Sequence, residues 1–406
     1  MTSTVIIAFC VLLLIAYLFD LSASKTKIPS VILLLLLGWF VRQITDFLNI
    51  NIPDLFPFLP IFGTIGLILI VLDGSLELEL NRSKVALIRK SFFGALIPMI
   101  AMAALVSYLF RYYGDYSFKD SLINAIPFCI ISSAIAIPSV RNLPNSEKEF
   151  IIYESSLSDI LGVIFFNFVA HNDSYGFQPL VHFGLQLSII TIVSLAATIG
   201  LSFLLSKIEH RIKFVPIVLL IILIYALSEV YHLPALVFIM VFGLSIGNIE
   251  EIIKIRWIER FKPDILNKEV QKFRELVSEG AFLTRALFFL LFGYLIETRE
   301  ILNTGTLVWA GIIVGIIFLF RLIQLLVSRL PVFPLLFVAP RGLITILLFL
   351  TILPEHVIPI VNNSLIIQVI LIIAVIMMFG MMTTAKKALP ADQTRPAMPP
   401  SENTNH

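Results

Sequence analysis

The chain has 406 residues, of which 58% are hydrophobic and only 14% are charged, and its formal net charge is +2. Soluble domains carry about 25% charged residues, so this much apolar surface cannot be hidden in one aqueous core, and we expect an integral membrane protein. The basic residues are dispersed and no phosphate-binding glycine motif is present, so we expect no nucleic acid and no nucleotide as partners. We also expect no cofactor, because no group of His and Cys residues has metal-ligand spacing.

Apolar runs long enough to cross a bilayer recur along the whole chain. One helical crossing needs about 20 predominantly apolar residues. Thirteen such runs are predicted as spans, at 3–20, 28–44, 60–77, 90–110, 121–141, 147–170, 181–205, 214–231, 233–248, 277–297, 306–328, 333–352 and 364–385. We therefore predict an all-α polytopic membrane protein over residues 1–385. Residues 386–406 are polar and proline-rich, and we predict a disordered cytoplasmic tail there.

The distribution of Lys and Arg predicts the orientation of these spans. The loops after the odd-numbered spans 1 to 11, together with the C-terminus, hold 22 of the 29 basic residues. The loops on the other side hold 4, and 3 arginines lie inside spans. By the positive-inside rule we expect the N-terminus outside and the C-terminus in the cytoplasm of a cell membrane.

Two of the predicted spans, the fifth and the twelfth, contain helix breakers. The fifth contains Pro138, and the twelfth contains Pro340, Arg341 and Gly342. Proline lacks an N–H and clashes with the preceding turn, so we expect both helices to be broken at these prolines. Spans seven apart have opposite orientations, as in an inverted repeat of spans 1–6 and 8–13. Interrupted helices at matching positions indicate a transport site near the bilayer midplane, and two ordinary proline kinks are the alternative.

Several charged residues lie inside predicted spans, where each costs roughly 2.5–3.5 kcal/mol on insertion scales. Such residues need either a partner or a function. Glu229 lies near an outer span end and is expected to be interfacial, and Arg285 lies near the cytoplasmic end of its span and can extend towards water. The remaining candidates are Asp73, Glu154, Asp159, Arg321 and Arg341.

Helix geometry separates Glu154 from Asp159. Five residues at about 100° each place the two carboxylates some 140° apart around the helix. The simplest arrangement pairs Glu154 with a buried arginine and leaves Asp159, with Ser155 on its side, for a small cation, because such cations prefer oxygen ligands. Asp73, beside Gly74, is either a second ligand or a helix cap. The alternative is that these acids are only salt-bridged for packing.

Five segments together resemble the sodium/proton exchanger branch of the monovalent cation:proton antiporter superfamily. KIPSVILLLLLG (27–38) resembles that family's second helix, and FGTIGLILIVLDGSLELEL (62–80) resembles its third. Glu154-Ser-Ser-Leu-Ser-Asp159 resembles a Glu-x-x-Leu-Asn-Asp signature. Arg321 stands in the helix before the second broken one, and PRGLITILL (340–348) resembles a Gly-Leu-Arg-Gly-Ala motif.

The resemblance implies a role for each site residue. Asp159 would bind a proton and a cation in turn, with Asp73 as a second ligand of the monovalent cation. Ser155, Ser158 and a backbone carbonyl near Ala136 would be neighbours of the cation site. Glu154 and Arg321 would form a structural ion pair. Arg341 would compensate the helix-end dipoles where the two broken helices cross. The resemblance also implies a homodimer in which spans 1–3 and 7–10 form a scaffold and spans 4–6 and 11–13 form the moving core.

Two departures from the family pattern leave undecided which ion is transported and what compensates the charge of Arg341. Ser158 stands where the family carries Asn, and Ala136-Ile137-Pro138 replaces Thr-Asp-Pro in the fifth helix. Arg341 therefore lacks the acidic partner that the family pattern provides. The stretch around Ala136 looks closer to potassium-efflux relatives, so Na⁺, K⁺ and Li⁺ all stay open.

The expected function is secondary active transport. We expect electroneutral exchange of a monovalent cation, Na⁺ before K⁺ or Li⁺, for H⁺ by alternating access, serving pH homeostasis. A sodium-coupled organic-anion symporter of similar architecture is the alternative. An intramembrane enzyme is a remote one, because the spans contain no paired nucleophile and base.

Overall fold

The computed structural model describes residues 2–26, 28–50, 54–55, 57–78, 82–140, 143–172, 177–207, 214–231, 233, 235–248 and 263–384. Every regular element in these ranges is a helix. The predicted disordered tail at 386–406 lies outside the described residues, and so do residues 249–262 of the predicted loop between the spans at 233–248 and 277–297. The rest of that loop belongs to a helix that begins at Pro263, well before its predicted span at 277–297.

The helices are numbered here in chain order. The first part of the chain contains α1 (Thr2–Thr26), α2 (Ser30–Phe47), α3 (Phe58–Glu77), α4 (Val85–Gly114), α5 (Phe118–Cys129), α6 (Ser133–Ser139) and α7 (Asn145–His171). The second part contains α8 (Phe177–Lys207), α9 (Phe214–Val230), α10 (Ala235–Gly247), α11 (Pro263–Leu295), α12 (Thr298–Ile301), α13 (Thr304–Val327), α14 (Leu343–Thr351) and α15 (Asn363–Thr384). Short 3₁₀ turns lie at Arg82–Lys84, Leu335–Phe337 and Pro354–His356.

The helices have the length and composition of a multi-pass membrane protein. Within the described residues, 7 helical segments are long and apolar enough to cross a bilayer. Four shorter apolar segments lie in α1, α8, α9 and α10. Each of the thirteen predicted spans overlaps helix, but the number that crosses the membrane stays a prediction.

The larger helix–helix contacts fall into two groups within one continuous hydrophobic core. In one group α11 packs on α2, α3 and α8, and α10 packs on α3 and α8. In the other, α4, α5 and α7 pack together, α6 packs on α7, and α13 packs on α4 and α15. The groups meet where α3 contacts α7 and α14.

Backbone contact between α2 and α11 depends on two glycines. A Cβ at Gly38 would lie 2.2 Å from the carbonyl oxygen of Leu290, and one at Gly293 would lie 2.3 Å from that of Leu35. Small residues allow membrane helices to approach closely, and van der Waals contact along such an interface stabilises the pair. These glycines therefore set the distance between the two helices.

We expect Gly38→Ala to destabilise the protein by about 1–3 kcal/mol, because the added Cβ must push two helix backbones apart. Gly311→Ala is the matched control, since a Cβ there would meet nothing within 4 Å and alanine favours helix. The measurement is the thermal midpoint of the detergent-solubilised protein. An equal midpoint for the two variants would contradict the close crossing.

Two non-helical segments, called here the first and second interruption, lie between α5 and α6 and between the 3₁₀ turn at Leu335–Phe337 and α14, and only the second contains the predicted proline. Residues 130–132 are not helical, whereas Pro138 lies inside α6, so the predicted position of the first break was wrong. Tertiary hydrogen bonds, described below, stabilise the first interruption. The second covers residues 338–342 and includes Pro340. That these pieces form two membrane-crossing helices related by an inverted repeat stays a prediction.

Candidate functional site

The first interruption is held by hydrogen bonds to α7. The N–H of Ile131 donates to Ser158 Oγ at 2.9 Å, and the N–H of Ser133 donates to Asp159 Oδ2 at 3.0 Å. These N–H groups find their acceptors on α7 and not in the preceding turn, which is why the helix stops at Cys129. Ser158 and Asp159 therefore fix the backbone of residues 130–132.

The two interruptions contact each other. The N–H of Ser132 donates to the carbonyl oxygen of Pro340 at 2.9 Å. Beside this bond the buried Arg341 donates from Nε to the carbonyl of Phe128 at 2.6 Å and from Nη1 to that of Ala339 at 2.9 Å. Phe128 lies in the last turn of α5, so the guanidinium sits at the negative end of that helix dipole. The partners of Arg341 are thus backbone carbonyls.

A buried ion pair joins α7 to α13. Arg321 Nη1 lies 2.6 Å from Glu154 Oε1, and both side chains are fully buried. Gln324 completes the cluster, because its Oε1 accepts from Arg321 Nη1 at 3.0 Å and its amide donates to Glu154. Arg321 Nε also donates to the carbonyl of Leu335 at 3.2 Å. Sequence reasoning missed Gln324, although its position three residues after Arg321 puts it on the same helix face.

Asp159 has a different environment from Glu154. Its side chain is 3% exposed, and its hydrogen bonds go to the backbone and hydroxyl groups of Ser133. Its second oxygen, Oδ1, has no hydrogen-bond partner. No ion pair to Asp159 occurs in the part of the chain that the structure describes. A buried carboxylate without a cationic partner is costly, which makes it a candidate for function.

Further oxygen atoms around the interruptions are buried without a hydrogen-bond partner. A Cβ at Gly74 would lie 3.4 Å from Ser156 Oγ, so this hydroxyl of α7 faces α3 next to Asp73. A Cβ at Gly342 would lie 3.0 Å from Ser132 Oγ, so that hydroxyl faces the second interruption. Four of these atoms are Asp73 Oδ1, Ser132 Oγ, Ser156 Oγ and Thr345 Oγ1, and Glu154 Oε2 is a further one.

Three of these residues were missed by sequence reasoning. Ser156 lies three residues before Asp159, on its side of α7, and this spacing could have identified it. Ser132 lies in the interruption itself, and Thr345 lies in the first turn of α14. Their relation to Asp159 depends on how the two interruptions meet, which the order of the residues does not reveal.

The other predicted site residues are placed as follows. Ser155 is buried and donates to the carbonyl of Ile151 in its own helix at 2.7 Å. Ala136 is buried in α6. Asp73 lies near the end of α3, and the Ser278 side chain of α11 hydrogen-bonds its carboxylate.

The arrangement offers oxygen ligands to a cation. A carboxylate, hydroxyl oxygens and the carbonyls of interrupted helices can replace water around a small hard cation. No group of three or more His, Cys, Asp and Glu residues that could hold a metal occurs among the described residues. The single buried carboxylate of Asp159 has the chemistry to hold one proton or one singly charged ion.

We expect Ser158→Ala to destabilise the protein by about 1–3 kcal/mol, because it leaves the buried N–H of Ile131 unpaired. Ser158→Thr keeps an acceptor and should retain most of the stability. Ser107→Ala is the control, since Ser107 is equally buried and its hydroxyl has no partner. The measurement is again the thermal midpoint in detergent. A Ser158→Ala variant as stable as the Ser107→Ala variant would contradict this role.

The fold is similar to that of solved sodium proton antiporters. A structure of the sodium proton antiporter MjNhaP1 from Methanocaldococcus jannaschii at pH 8 matches with a TM-score of 0.69 and 18% identity, over 95% of this chain and 99% of that one. A structure from an electron-microscopy map of the same antiporter matches with a TM-score of 0.68 and 18% identity, over 98% and 100% of the two chains. At this identity the likeness shows the fold. A comparison with curated proteins finds no match.

A family comparison covers most of the chain. The model described as "Sodium/hydrogen exchanger, transmembrane" matches residues 10–386, which include all of the interrupted helices and the residues placed around them. The match supports cation/proton antiport as the activity and is consistent with a transporter and not an enzyme. The chain therefore belongs to the sodium/hydrogen exchanger family of transmembrane proteins.

Proposed function

We propose that the protein exchanges Na⁺ for H⁺ by alternating access, with Asp159 as the carboxylate that both ions share. The observation that carries the proposal is the contrast between the two acids of α7. Each acid has one buried oxygen without a hydrogen-bond partner, but Glu154 forms an ion pair with Arg321, whereas no ion pair to Asp159 occurs among the described residues. One carboxylate cannot hold a proton and a cation together, so release of one ion allows binding of the other.

The cation site would be completed by oxygen atoms on three sides of Asp159. Asp73 and Ser156 would contribute from the contact between α3 and α7. Ser132 and Thr345 would contribute from the two interruptions, together with the carbonyl near Ala136. The unpartnered oxygens of four of these residues support this set. Ser155 and Ser158 would act mainly by holding the helices, since both hydroxyls already have partners.

The exchange would be electroneutral. The Glu154–Arg321 pair carries no net charge, and Arg341, whose partners are backbone carbonyls, would keep its charge in either ion-bound form. Asp159 would then carry one positive charge in each direction, as a proton or as a cation. Na⁺ is the proposed substrate, and K⁺ and Li⁺ are the alternatives that the transport assay separates.

Alternating access would move one group of helices against the other. The group formed by α4–α7 and α13–α15 would be the moving core, and α1–α3 with α8–α11 would be the scaffold and the contact of a homodimer. The contacts within each group are more extensive than those between the groups, which supports this division. The N-terminus would face outward and the C-terminus the cytoplasm of the cell membrane, as the Lys and Arg distribution indicates.

The proposal is tested by ion-driven pH changes in proteoliposomes. An imposed gradient of Na⁺, K⁺ or Li⁺ should move protons in the opposite direction, with the largest rate for the true substrate. Clamping the voltage with valinomycin and K⁺ should leave the Na⁺-driven rate unchanged if the exchange is electroneutral. No cation-dependent proton flux with any of the three ions would overturn the proposal.

A further inference from the structure

The third intramembrane arginine, Arg285, contacts the interrupted helix from the other helix group. Arg285 lies in α11, and its Nη1 donates to the carbonyl oxygen of Ala134 in α6 at 3.3 Å. The sequence suggested that this side chain extends towards water. It reaches instead between two helices that belong to different packing groups.

The carbonyl that Arg285 contacts is made available by a proline. In a helix the carbonyl of Ala134 would accept from the N–H of the residue four positions on, which is Pro138, and proline has no N–H. The peptide is also next to the binding site, because Ser133, one residue earlier, donates its N–H to Asp159. Pro138 thus creates the acceptor, and Arg285 satisfies it.

The contact lies deeper than two cavities that separate the same helix groups. One cavity of about 350 Å³ is lined by Thr64 of α3, Val163 of α7 and Tyr225 of α9. Another of about 500 Å³ lies where Leu295, the last residue of α11, faces Asn124 of α5. Both are at the predicted outer ends of these helices.

Arg285 precedes Leu295 by ten residues, or about 15 Å along α11. It therefore joins the two helix groups on the inner side of these cavities. A charge-assisted hydrogen bond at this position favours the conformation in which the groups are in contact on the inside and apart on the outside.

We infer that Arg285 is a positioning residue of the exchange cycle. Its hydrogen bond to the Ala134 carbonyl, called here the latch, holds α6 against α11 on the inner side. This bond must break before Asp159 can face the cytoplasm. The inference rests on the proposed function, because only alternating access requires α6 to move against α11. The latch stabilises the outward-facing conformation, and its loss shifts the population towards the inward-facing one.

Transport measured from each side tests the direction of this shift. Arg285→Gln should raise the half-saturating cation concentration at the outer face about tenfold, since a bond to a charged group of this kind is worth about a factor of ten or more. It should not raise that concentration at the inner face, as measured in vesicles of the opposite orientation. Arg285→Lys keeps the charge and a donor, and should restore most of the outer-face value.

Arg274→Gln is the matched control. Arg274 lies on the same helix and also donates to a backbone carbonyl, that of Leu76 in α3, but both helices belong to one packing group. A purely structural role for Arg285 would give the same result in both variants: a lower thermal midpoint and a lower maximal rate, with unchanged half-saturation on both sides. That result would overturn the inference.

A second measurement does not depend on transport. Ile137 lies three residues after Ala134 on the same face of α6 and is half-buried. In a background with Cys10 and Cys129 replaced by alanine, Ile137→Cys should react with a membrane-impermeant thiol reagent from the inner face several times faster when Arg285→Gln is added. An unchanged labelling rate would overturn the latch, whereas faster labelling without any cation-driven proton flux would retain the contact and overturn the proposed exchange.

Discussion

Asp159→Asn is expected to reduce cation-driven proton flux to the level of protein-free liposomes. The amide cannot release a proton and carries no charge, so it can neither accept the transported proton nor neutralise a bound cation. The fold should survive, because the remaining amide oxygen can still accept from the N–H of Ser133. The measurement is the initial rate of the Na⁺-driven pH change, normalised to the amount of folded protein in the membrane.

Asp46→Asn is the control for the loss of an acidic side chain. Asp46 is exposed at the end of α2 and pairs with Arg42 at 3.7 Å, an exposed contact of the kind that contributes about 0–1 kcal/mol. This variant should transport at the wild-type rate. Substantial flux in Asp159→Asn would mean that another carboxylate carries the proton.

Arg321→Ala is expected to have the largest effect on stability, a loss of about 3–5 kcal/mol, because it leaves the charge of Glu154 buried and uncompensated. Glu154→Ala should be similarly damaging, since it leaves the buried guanidinium unpaired. The measurement is the thermal midpoint in detergent together with the yield of folded protein after extraction from the membrane.

A double-mutant cycle separates the interaction energy between Glu154 and Arg321 from the contribution of each side chain alone. Replacing both residues, as Glu154→Gln with Arg321→Gln, removes both charges and should cost much less than the sum of the losses measured for Glu154→Gln alone and Arg321→Gln alone. Additive losses would show that the two charges do not interact. Retained Na⁺-driven flux in the double variant would support the assignment of Asp159, and not Glu154, as the ion carrier.

Helix periodicity was sufficient to separate the two acids of α7, but their partners required tertiary information. The 140° between Glu154 and Asp159 indicated that they face different neighbours. That Arg321 would be the partner of Glu154 came from the resemblance to a family, and the third member of the cluster, Gln324, was not anticipated. Charge inside a span indicates that a partner is needed, but not which helix supplies it.

The first interruption shows why helix breakers alone did not locate the site. Pro138 suggested a break at its own position, yet the non-helical residues are 130–132, and the N–H groups of residues 131–133 bond to Ser158, Pro340 and Asp159. These acceptors are distant in the chain. The proline also leaves the carbonyl of Ala134 without its usual donor within the helix, and only the structure shows that Arg285 donates to it instead. The sequence shows that Pro138 has no N–H to donate, whereas only the tertiary structure shows which residue donates in its place.

The central claim is that a proton and a cation compete for Asp159, and the pH dependence of cation half-saturation tests it most directly. Initial exchange rates would be measured in proteoliposomes over a range of Na⁺ concentrations at several pH values. Competition for one carboxylate predicts that, where this group is mostly protonated, half-saturation rises about tenfold for each unit of falling pH while the maximal rate at saturating Na⁺ changes little. A half-saturating concentration independent of pH, with only the maximal rate changing, would contradict a shared site.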